Sequence, residues 1–266
     1  MDFAHITFAV EEGVALLTLN RPDRLNAISA QMLTEVNAAL DQVEDAGNGA
    51  RCLLLTGAGR GFSSGADLGG GGMPMPGPGQ AFDAGQVLEQ YYNPLIERLA
   101  DLPVPFITAV NGPAAGAGMS FAIAGDIVLA ARSAYFLQAF VNIGLIPDAG
   151  STYFLPRLVG AARARAMMML GEKIPAETAL RWGLVYDVVD DDALMPRARE
   201  LARKLAQGPT RALRLIRHAA AASSENTLSR QLRLEREYQR QAGRTADFME
   251  GVSAFLGKRP AKFTGA

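Results

Sequence analysis

Residues 104–124 constrain the fold more than any other stretch of the sequence. An apolar run at 104–110 leads into Asn-Gly-Pro-Ala-Ala-Gly-Ala-Gly at 111–118, and a second apolar segment follows. This order predicts a buried strand, a tight turn of small residues and a helix that begins at Ala117. Small residues let a ligand approach the backbone, and the first N–H groups of a helix suit an anion or a developing oxyanion. The structural alternative is a turn that only packs a helix tightly on a sheet.

Short apolar segments alternate with amphipathic ones along the first half of the chain. Strands are predicted at residues 6–10, 14–19, 52–56 and 126–131. One helix is predicted from an N-cap at Ser29 to about residue 45, and another at 81–99. This alternation predicts an α/β fold whose sheet is covered on both faces. From residue 161 onward the pattern is mainly helical, with Met167–Leu170 expected in the core and one short strand at 184–189.

Charge and residue counts exclude several classes of function. The net charge is −1, so bulk charge gives no reason to expect a nucleic acid or a membrane surface as a partner. One cysteine and two histidines exclude an intrachain disulfide and a cysteine zinc site, and disfavour a histidine metal site. No metal is therefore expected. The uncharged run at 102–125 is broken by three prolines and is interpreted as buried core rather than a membrane span. The N-terminus lacks a signal pattern, so a cytoplasmic enzyme is expected.

A second turn of small residues follows the strand at 52–56. Residues 57–68 could present backbone N–H groups as the 111–118 turn does, or could be purely structural. They fit neither a Walker A loop nor a dinucleotide fingerprint. Further on, Asp148 lies after a proline and before a helix start, where a turn or N-cap role is the default. The basic excess at 197–244 indicates a solvated helix face, or else a phosphate-bearing ligand or a subunit interface.

Three motifs together are far more specific than any one of them. Phe-Ser-Ser-Gly-Ala-Asp-Leu at 62–68, the 111–118 turn and Gly-Leu-Ile-Pro-Asp-Ala-Gly at 144–150 occur in the order and spacing of the crotonase (enoyl-CoA hydratase/isomerase) superfamily. Segments at 20–27 and 254–265 match as well, so the resemblance covers essentially the whole chain. Within the superfamily the chain resembles most closely the ring-epoxide isomerases of phenylacetate degradation, through segments at 92–95, 235–240 and 250–256.

The resemblance implies an architecture and a substrate class. It implies a crotonase-like spiral of ββα units at 1–195, which binds acyl-CoA, followed by a helical region at 196–266. That region would mediate assembly of a homotrimer or of a hexamer built as a dimer of trimers, and would complete part of the CoA site. No cofactor is expected beyond the coenzyme A that forms part of the substrate. The loop at 69–79 is either a tolerated insertion or a lid over an apolar acyl group.

The same resemblance assigns roles to individual residues. The thioester oxygen would lie between the backbone N–H groups of Ala66 and Ala117, where the family often has Gly at the second position. The residues implied to bind substrate or CoA are Arg24, Ala27, Ser64, Gly65, Asp67, Leu68, Gly116, Phe140, Lys258 and Phe263, the last two across a subunit boundary.

The acidic positions carry the prediction of reaction type. Hydratases of this family use two glutamates, and Ser120 and Phe140 stand at those positions here. Asp148 is the carboxylate that remains, at a position where some family members place a catalytic acid. One such group suffices for a 1,3-proton shift. The expected activity is therefore acyl-CoA isomerisation, of a ring-epoxide phenylacetyl-CoA to the oxepin, of 3-enoyl-CoA to 2-enoyl-CoA, or of both. A divergent enoyl-CoA hydratase and a CoA- or RNA-binding homologue with little catalysis are the alternatives.

Overall fold

The computed structural model describes residues 2–69 and 83–266. Of the predicted loop at 69–79 all but Gly69 lies outside the described residues, as do the first two residues of the helix predicted at 81–99. The described strands are β1 (Ile6–Glu11), β2 (Val14–Leu19), β3 (Cys52–Gly57), β4 (Phe106–Val110), β5 (Ala114–Ala115), β6 (Ile127–Ala131), β7 (Tyr135–Leu137), β8 (Lys173–Pro175) and β9 (Asp187–Val189). The five strands predicted in the first half of the chain, including the one at 104–110, are thus confirmed as β1, β2, β3, β4 and β6.

The strands form two sheets. The larger sheet has the order β1-β2-β3-β4-β6-β9, in which β1 and β2 are an antiparallel hairpin and every later pairing is parallel. Every residue of β3 and β4 is buried, and the helices Leu194–Ala206 and Ala117–Ile123 pack against this parallel region. The smaller sheet has the order β5-β7-β8. The strand predicted at 184–189 is shorter than expected, since pairing with β6 begins only at Asp187.

The helices are α1 (Ala30–Glu44), α2 (Ala84–Val87), α3 (Asn93–Ala100), α4 (Ala117–Ile123), α5 (Ser151–Val159), α6 (Ala161–Leu170), α7 (Ala176–Trp182), α8 (Leu194–Ala206), α9 (Thr210–Ser223), α10 (Leu228–Ala242) and α11 (Ala246–Leu256). Ser29 caps α1, as predicted, by accepting a hydrogen bond from the Met32 N–H at 3.2 Å. The helix predicted at 81–99 is not uniform, because a π-helical turn at Leu88–Tyr92 joins α2 to α3.

Beyond β9 the chain is helical, as expected. Helix α8 packs against β3 and β4 through Ala198, Ala202 and Ala206, whose small side chains allow close contact. Helices α9 and α10 bury no residue fully within this one chain. The expectation that residues 167–170 are all core is wrong in part: Met167 is buried, but Met169 is 70% exposed at the end of α6. Among the described residues no helix is long and apolar enough to cross a membrane.

Candidate active site

A buried asparagine, Asn26, fixes the conformation of the turn after β3. The Asn26 side-chain amide donates to the carbonyls of Ala58 and Gly61 at 2.9 and 2.8 Å, and its oxygen accepts from the Arg21 N–H. Further along this turn Gly65 has a φ of +94°, and a Cβ there would lie 2.8 Å from the Ala115 carbonyl oxygen. Only glycine fits such a position without strain. The backbone therefore turns sharply just before Ala66.

The turn after β4 lies directly against the first turn. Gly116, with a φ of +51°, follows β5, and α4 begins at Ala117, as the sequence predicts. A Cβ on Gly118 would lie 2.6 Å from the side chain and carbonyl oxygen of Ser63, so α4 packs on the first turn with no space between them. A bridge between Ser63 and Ala114 joins the two segments. The tight packing fixes the separation of the two turns.

Each turn presents a backbone N–H that is not used within the fold. In the part of the chain that the structure describes, neither the Ala66 nor the Ala117 N–H donates a hydrogen bond, although their neighbours do. For Ala117 the reason is its place at the first position of α4, where no preceding turn supplies an acceptor. Both residues line one cavity. Two free donors at the same cavity are the arrangement that stabilises a developing oxyanion.

The cavity encloses about 180 Å³ and is mostly apolar. The described residues around it are Ser64, Gly65, Ala66, Leu68, Ala84, Val87, Leu88, Tyr92, Gly116, Ala117, Ala139, Phe140, Ile143, Leu145 and Asp148. Ser64, Tyr92 and Asp148 are the polar side chains of this set. The Ser64 hydroxyl donates to the Arg24 carbonyl at 3.3 Å, whereas the buried Tyr92 Oη and Asp148 Oδ1 have no hydrogen-bond partner among the described residues.

Asp148 supplies the cavity with a single carboxyl group. Its Oδ1 is buried and has no hydrogen-bond partner among the described residues. Burial raises the pKa of Asp148 from 3.8 to about 6. A carboxylate with this pKa is a stronger base than an exposed one and is still ionised at neutral pH. The next residue, Ala149, is buried with a φ of +47°, so the turn at the site holds backbone strain.

A network of hydroxyl groups holds the backbone of Asp148. The Ser120 Oγ donates to the Asp148 carbonyl at 3.0 Å and lies 2.7 Å from the Ser151 Oγ. The Ser151 N–H donates to the same carbonyl, and the Gln138 amide donates to the Ser151 hydroxyl at 3.0 Å. Ser120, predicted to replace a hydratase glutamate, is fully buried and contacts the backbone of the turn. Phe140, at the other such position, lines the cavity with an aromatic ring.

The remaining predicted binding residues lie beside the cavity or far from it. Asp67 forms an ion pair with Arg21 at 2.9 Å, and Arg21 also donates to the Ala27 carbonyl at 2.6 Å. These contacts tie the loop before α1 to the turn after β3. Arg24 is exposed on the same loop, next to Ser64. The Asp67 carboxylate is therefore neutralised by Arg21 of the same chain.

The two C-terminal residues do not reach the cavity within this one chain. The Phe263 ring lines a separate hollow of about 610 Å³ beside α11, and its carbonyl accepts from Arg51 at 3.1 Å. Lys258 follows α11 with a φ of +48°. Neither is among the residues that surround Asp148.

The helix after the 69–79 loop is expected to shape the acyl pocket, but the sequence does not identify which of its side chains do so. Ala84, Leu88 and Tyr92 recur every fourth residue, which is the spacing of one helix face, and all three line the cavity. This periodicity was a usable signal for a wall, but the π-helical turn that carries Tyr92 was not visible in it. Among the described residues no group of three or more His, Cys, Asp or Glu side chains is arranged to hold a metal ion.

The fold and the site define a family. The family model described as enoyl-CoA hydratase/isomerase matches residues 9–266, and the chain belongs to this crotonase family of enzymes. A solved enoyl-CoA hydratase subunit from Geobacillus kaustophilus superposes with a TM-score of 0.89 at 35% identity, covering all of both chains. A putative enoyl-CoA hydratase from Streptomyces coelicolor A3(2) gives 0.90 at 32% identity and covers 100% of this chain and 96% of that one. The α/β crotonase fold is therefore confirmed.

Three curated relatives resemble the chain along nearly its whole length. The chain is 54% identical over 256 residues to the 1,2-epoxyphenylacetyl-CoA isomerase of Escherichia coli K12, covering 96% of this chain and 97% of that protein. It is 45% identical to a probable enoyl-CoA hydratase of Rhodobacter capsulatus, with full coverage of both. It is 35% identical, again with full coverage, to the trans-2-decenoyl-[acyl-carrier-protein] isomerase of Streptococcus mutans. Isomerases and hydratases both occur among these relatives, so the reaction must be argued from the site.

Proposed function

We propose that this enzyme isomerises acyl-CoA thioesters by a proton shift that uses Asp148 as its one acid–base group. The observation that carries the proposal is the pairing of a single buried carboxyl group with two unused backbone N–H groups at the same apolar cavity. Each part has a separate task. The carboxylate moves the proton, and the N–H groups stabilise the charge that its removal creates.

The proton shift proceeds in two steps. Asp148 removes a proton from the carbon next to the thioester carbonyl, and the electron pair moves onto the thioester oxygen. That oxygen accepts hydrogen bonds from the Ala66 and Ala117 N–H groups, each worth about 3 kcal/mol of barrier. The protonated Asp148 then returns the proton to a carbon further along the conjugated system, and the thioester carbonyl re-forms. No water or oxidant is consumed, so no cofactor is required beyond the CoA of the substrate.

Among the described residues that line the cavity Asp148 is the one acid, which favours isomerisation over hydration. Water addition needs one group to activate the water and another to deliver a proton. Ser120 is occupied with the Asp148 backbone, and Phe140 contributes only an apolar ring. A single carboxyl group cannot both hold a water and protonate the α-carbon efficiently.

The substrate we propose is a ring-epoxide phenylacetyl-CoA, which the enzyme converts to the oxepin. In this conversion the ring carbon–carbon bond that the epoxide oxygen bridges breaks, its electron pair becomes part of the double bonds of the enlarged ring, and Asp148 moves a proton from the CH₂ arm to a ring carbon. 3-Enoyl-CoA is a simpler substrate of the same proton shift. The 54% identity to an epoxyphenylacetyl-CoA isomerase supports the aromatic acyl group. The apolar walls at Leu88, Phe140 and Leu145 suit a six-membered ring. A role for the enzyme in phenylacetate degradation follows from this substrate.

Coenzyme A would lie along the loop at Arg24 and Ala27 and the backbone of Ser64 to Leu68. Arg24 is exposed there and free to meet a phosphate. Lys258 and Phe263 would reach the same CoA from a neighbouring subunit of a homotrimer, or of a hexamer made of two trimers. The exposed apolar face of α11, where Phe255 is 83% exposed, supports such an assembly.

The test measures isomerisation and hydration side by side. Wild type is expected to convert 3-enoyl-CoA to the conjugated 2-enoyl-CoA, followed by absorbance, and to hydrate 2-enoyl-CoA poorly. Asp148→Asn should lower isomerisation at least about a hundredfold while CoA binding persists. Glu89→Gln, an exposed acid beside the cavity wall, is the control and should keep full activity.

Three outcomes would contradict the proposal. Hydration faster than isomerisation would identify a divergent hydratase. An Asp148→Asn variant as active as wild type would show that the base lies elsewhere. CoA binding with no turnover of any acyl group, together with salt-sensitive RNA retention, would identify a binding homologue.

A further inference from the structure

The Tyr92 hydroxyl is a buried donor for which the fold supplies no acceptor. Tyr92 is 2% exposed, and its Oη has no hydrogen-bond partner among the described residues. Leaving a buried hydroxyl unpaired destabilises a fold, so proteins seldom do so without a functional reason. Burial, together with the nearby Asp148 charge, raises the pKa of the phenol. Tyr92 therefore keeps its proton at neutral pH and acts only as a neutral hydrogen-bonding group.

The position of Tyr92 is as specific as its lack of a partner. The residue ends the π-helical turn at Leu88–Tyr92 and lines the cavity together with Asp148 and the two N–H donors. Single π-helical turns inside α-helices occur frequently at functional sites, because they move one side chain out of the helical register. Among the described residues no hydrogen bond joins Tyr92 to Asp148, so neither group uses the other as its partner.

We propose that Tyr92 donates a hydrogen bond to an ether oxygen on the ring carbon that carries the CH₂–CO–S–CoA arm of the substrate. This inference rests on the proposed function and defines its substrate class more narrowly. The thioester oxygen is already assigned to Ala66 and Ala117. The ring oxygen is the other oxygen of the acyl group, and it has no donor assigned. In a ring epoxide and in its oxepin isomer the same oxygen stays bonded to that carbon. One donor can therefore hold it throughout the reaction.

The arrangement predicts selectivity for oxygen-bearing acyl groups. An acyl group made only of carbon would leave the Tyr92 hydroxyl without a partner. Of the other described polar side chains at the cavity, Ser64 is paired with the Arg24 carbonyl and Asp148 is not hydrogen-bonded to Tyr92. A site built to hydrogen-bond one atom discriminates against a ligand that lacks it. Tyr92 is in this account a binding and specificity residue, whereas Asp148 carries the proton.

Two stable ligands test the proposal directly. Tetrahydropyran-2-ylacetyl-CoA and cyclohexylacetyl-CoA have rings of equal size that differ by one ether oxygen, and neither has a double bond to shift. Calorimetry on wild type should show about tenfold tighter binding of the oxygen-bearing ligand. Tyr92→Phe should abolish this preference by weakening only that ligand. Tyr91→Phe, which removes a neighbouring hydroxyl that does not line the cavity, should retain it.

Any of three binding results would overturn the proposal: no preference in wild type, a preference that survives Tyr92→Phe, or equal weakening of both ligands. Since Tyr92→Phe removes an unpaired buried hydroxyl, its melting temperature should not fall. Tyr92→Met, which also lacks a donor, repeats the test if that variant does not fold.

Kinetics separate this proposal from the proposed function. Tyr92→Phe should lose far more kcat/KM on an oxygen-bearing ring substrate than on 3-enoyl-CoA, which has no ring oxygen. Its kcat/KM should still fall as the pH drops below about 6, because the pKa of Asp148 is unchanged. A shifted acid limb would mean that Tyr92 bonds to Asp148 instead. Failure of the proposed function has a different signature, namely isomerisation that survives Asp148→Asn, whatever the ligand preference.

Discussion

Asp148 is held in an environment that opposes its charge. The carboxyl group has one oxygen buried without a partner, and burial raises the pKa of Asp148 to about 6. A folded-state pKa above the unfolded value means that the folded protein binds the proton more tightly. Stability from this group is therefore fully present below pH 4 and is lost as the pH rises through 6. Basicity useful for catalysis is obtained at the expense of stability.

Asp148→Asn should consequently stabilise the fold at pH 8. The shift of about two pK units corresponds to about 3 kcal/mol in the free energy of unfolding, and the gain should shrink between pH 6 and pH 4. Urea unfolding of wild type and variant at pH 4.5 and pH 8 measures the difference. A gain that is equal at both pH values would mean that the Asp148 carboxyl is not desolvated in the folded state. Asp23→Asn, an exposed acid, is the control and should change neither value.

At the scale of elements, the site depends on how closely α4 approaches the turn after β3. Gly118 lets the first turn of α4 lie on Ser63, and Gly65 lets the opposite turn pass the Ala115 carbonyl. These two contacts set the distance between the Ala66 and Ala117 donors. The spacing of the donors is thus a property of packing between two elements rather than of either donor residue.

Gly118→Ala should damage catalysis more than folding. Its Cβ would lie 2.6 Å from Ser63, so α4 must move away and carry the Ala117 donor with it. Loss of one oxyanion donor lowers kcat about a hundredfold to a thousandfold, and overpacking costs about 1–3 kcal/mol of stability. Steady-state kinetics and thermal unfolding measure both effects. Gly47→Ala is the control, because its Cβ would meet only the flexible end of Asp45. Unchanged kcat in Gly118→Ala would show that donor spacing does not depend on this contact.

At the scale of the whole molecule, some parts of the site could be predicted from local sequence and others depend on contacts that form only in the folded chain. The helix start at Ala117 and the turn at Asp148 follow from local signals, namely small residues after an apolar strand and a proline before a turn. The contact between Ser120 and the Asp148 carbonyl joins residues 28 positions apart, so only the folded chain creates it. The π-helical turn at Tyr92 likewise depends on packing and has no sequence period of its own.

Exposed apolar side chains on the C-terminal helices allow the proposed assembly into trimers or hexamers to be tested. Phe255 and Leu256 are 83% and 75% exposed on α11, an arrangement that favours burial against another subunit. Analytical ultracentrifugation of wild type should give three or six times the mass of one chain. In Phe255→Glu the measured mass should shift towards that of the monomer. Tyr186→Glu, which places the same charge at an exposed aromatic residue away from α11, should leave the assembly intact. A wild-type monomer would contradict the proposed trimer and the shared CoA site.

The most direct test of the account follows proton removal by itself. Phenylacetyl-CoA has an acidic CH₂ next to its thioester but no double bond that can move, so exchange of those protons with D₂O reports only the first step. Proton NMR should show rapid exchange with wild type and exchange at least a thousandfold slower, on the order of the loss for an essential base, with Asp148→Asn. Calorimetry should show that the variant still binds phenylacetyl-CoA. Equal exchange rates in the two proteins would contradict the central claim that Asp148 is the base.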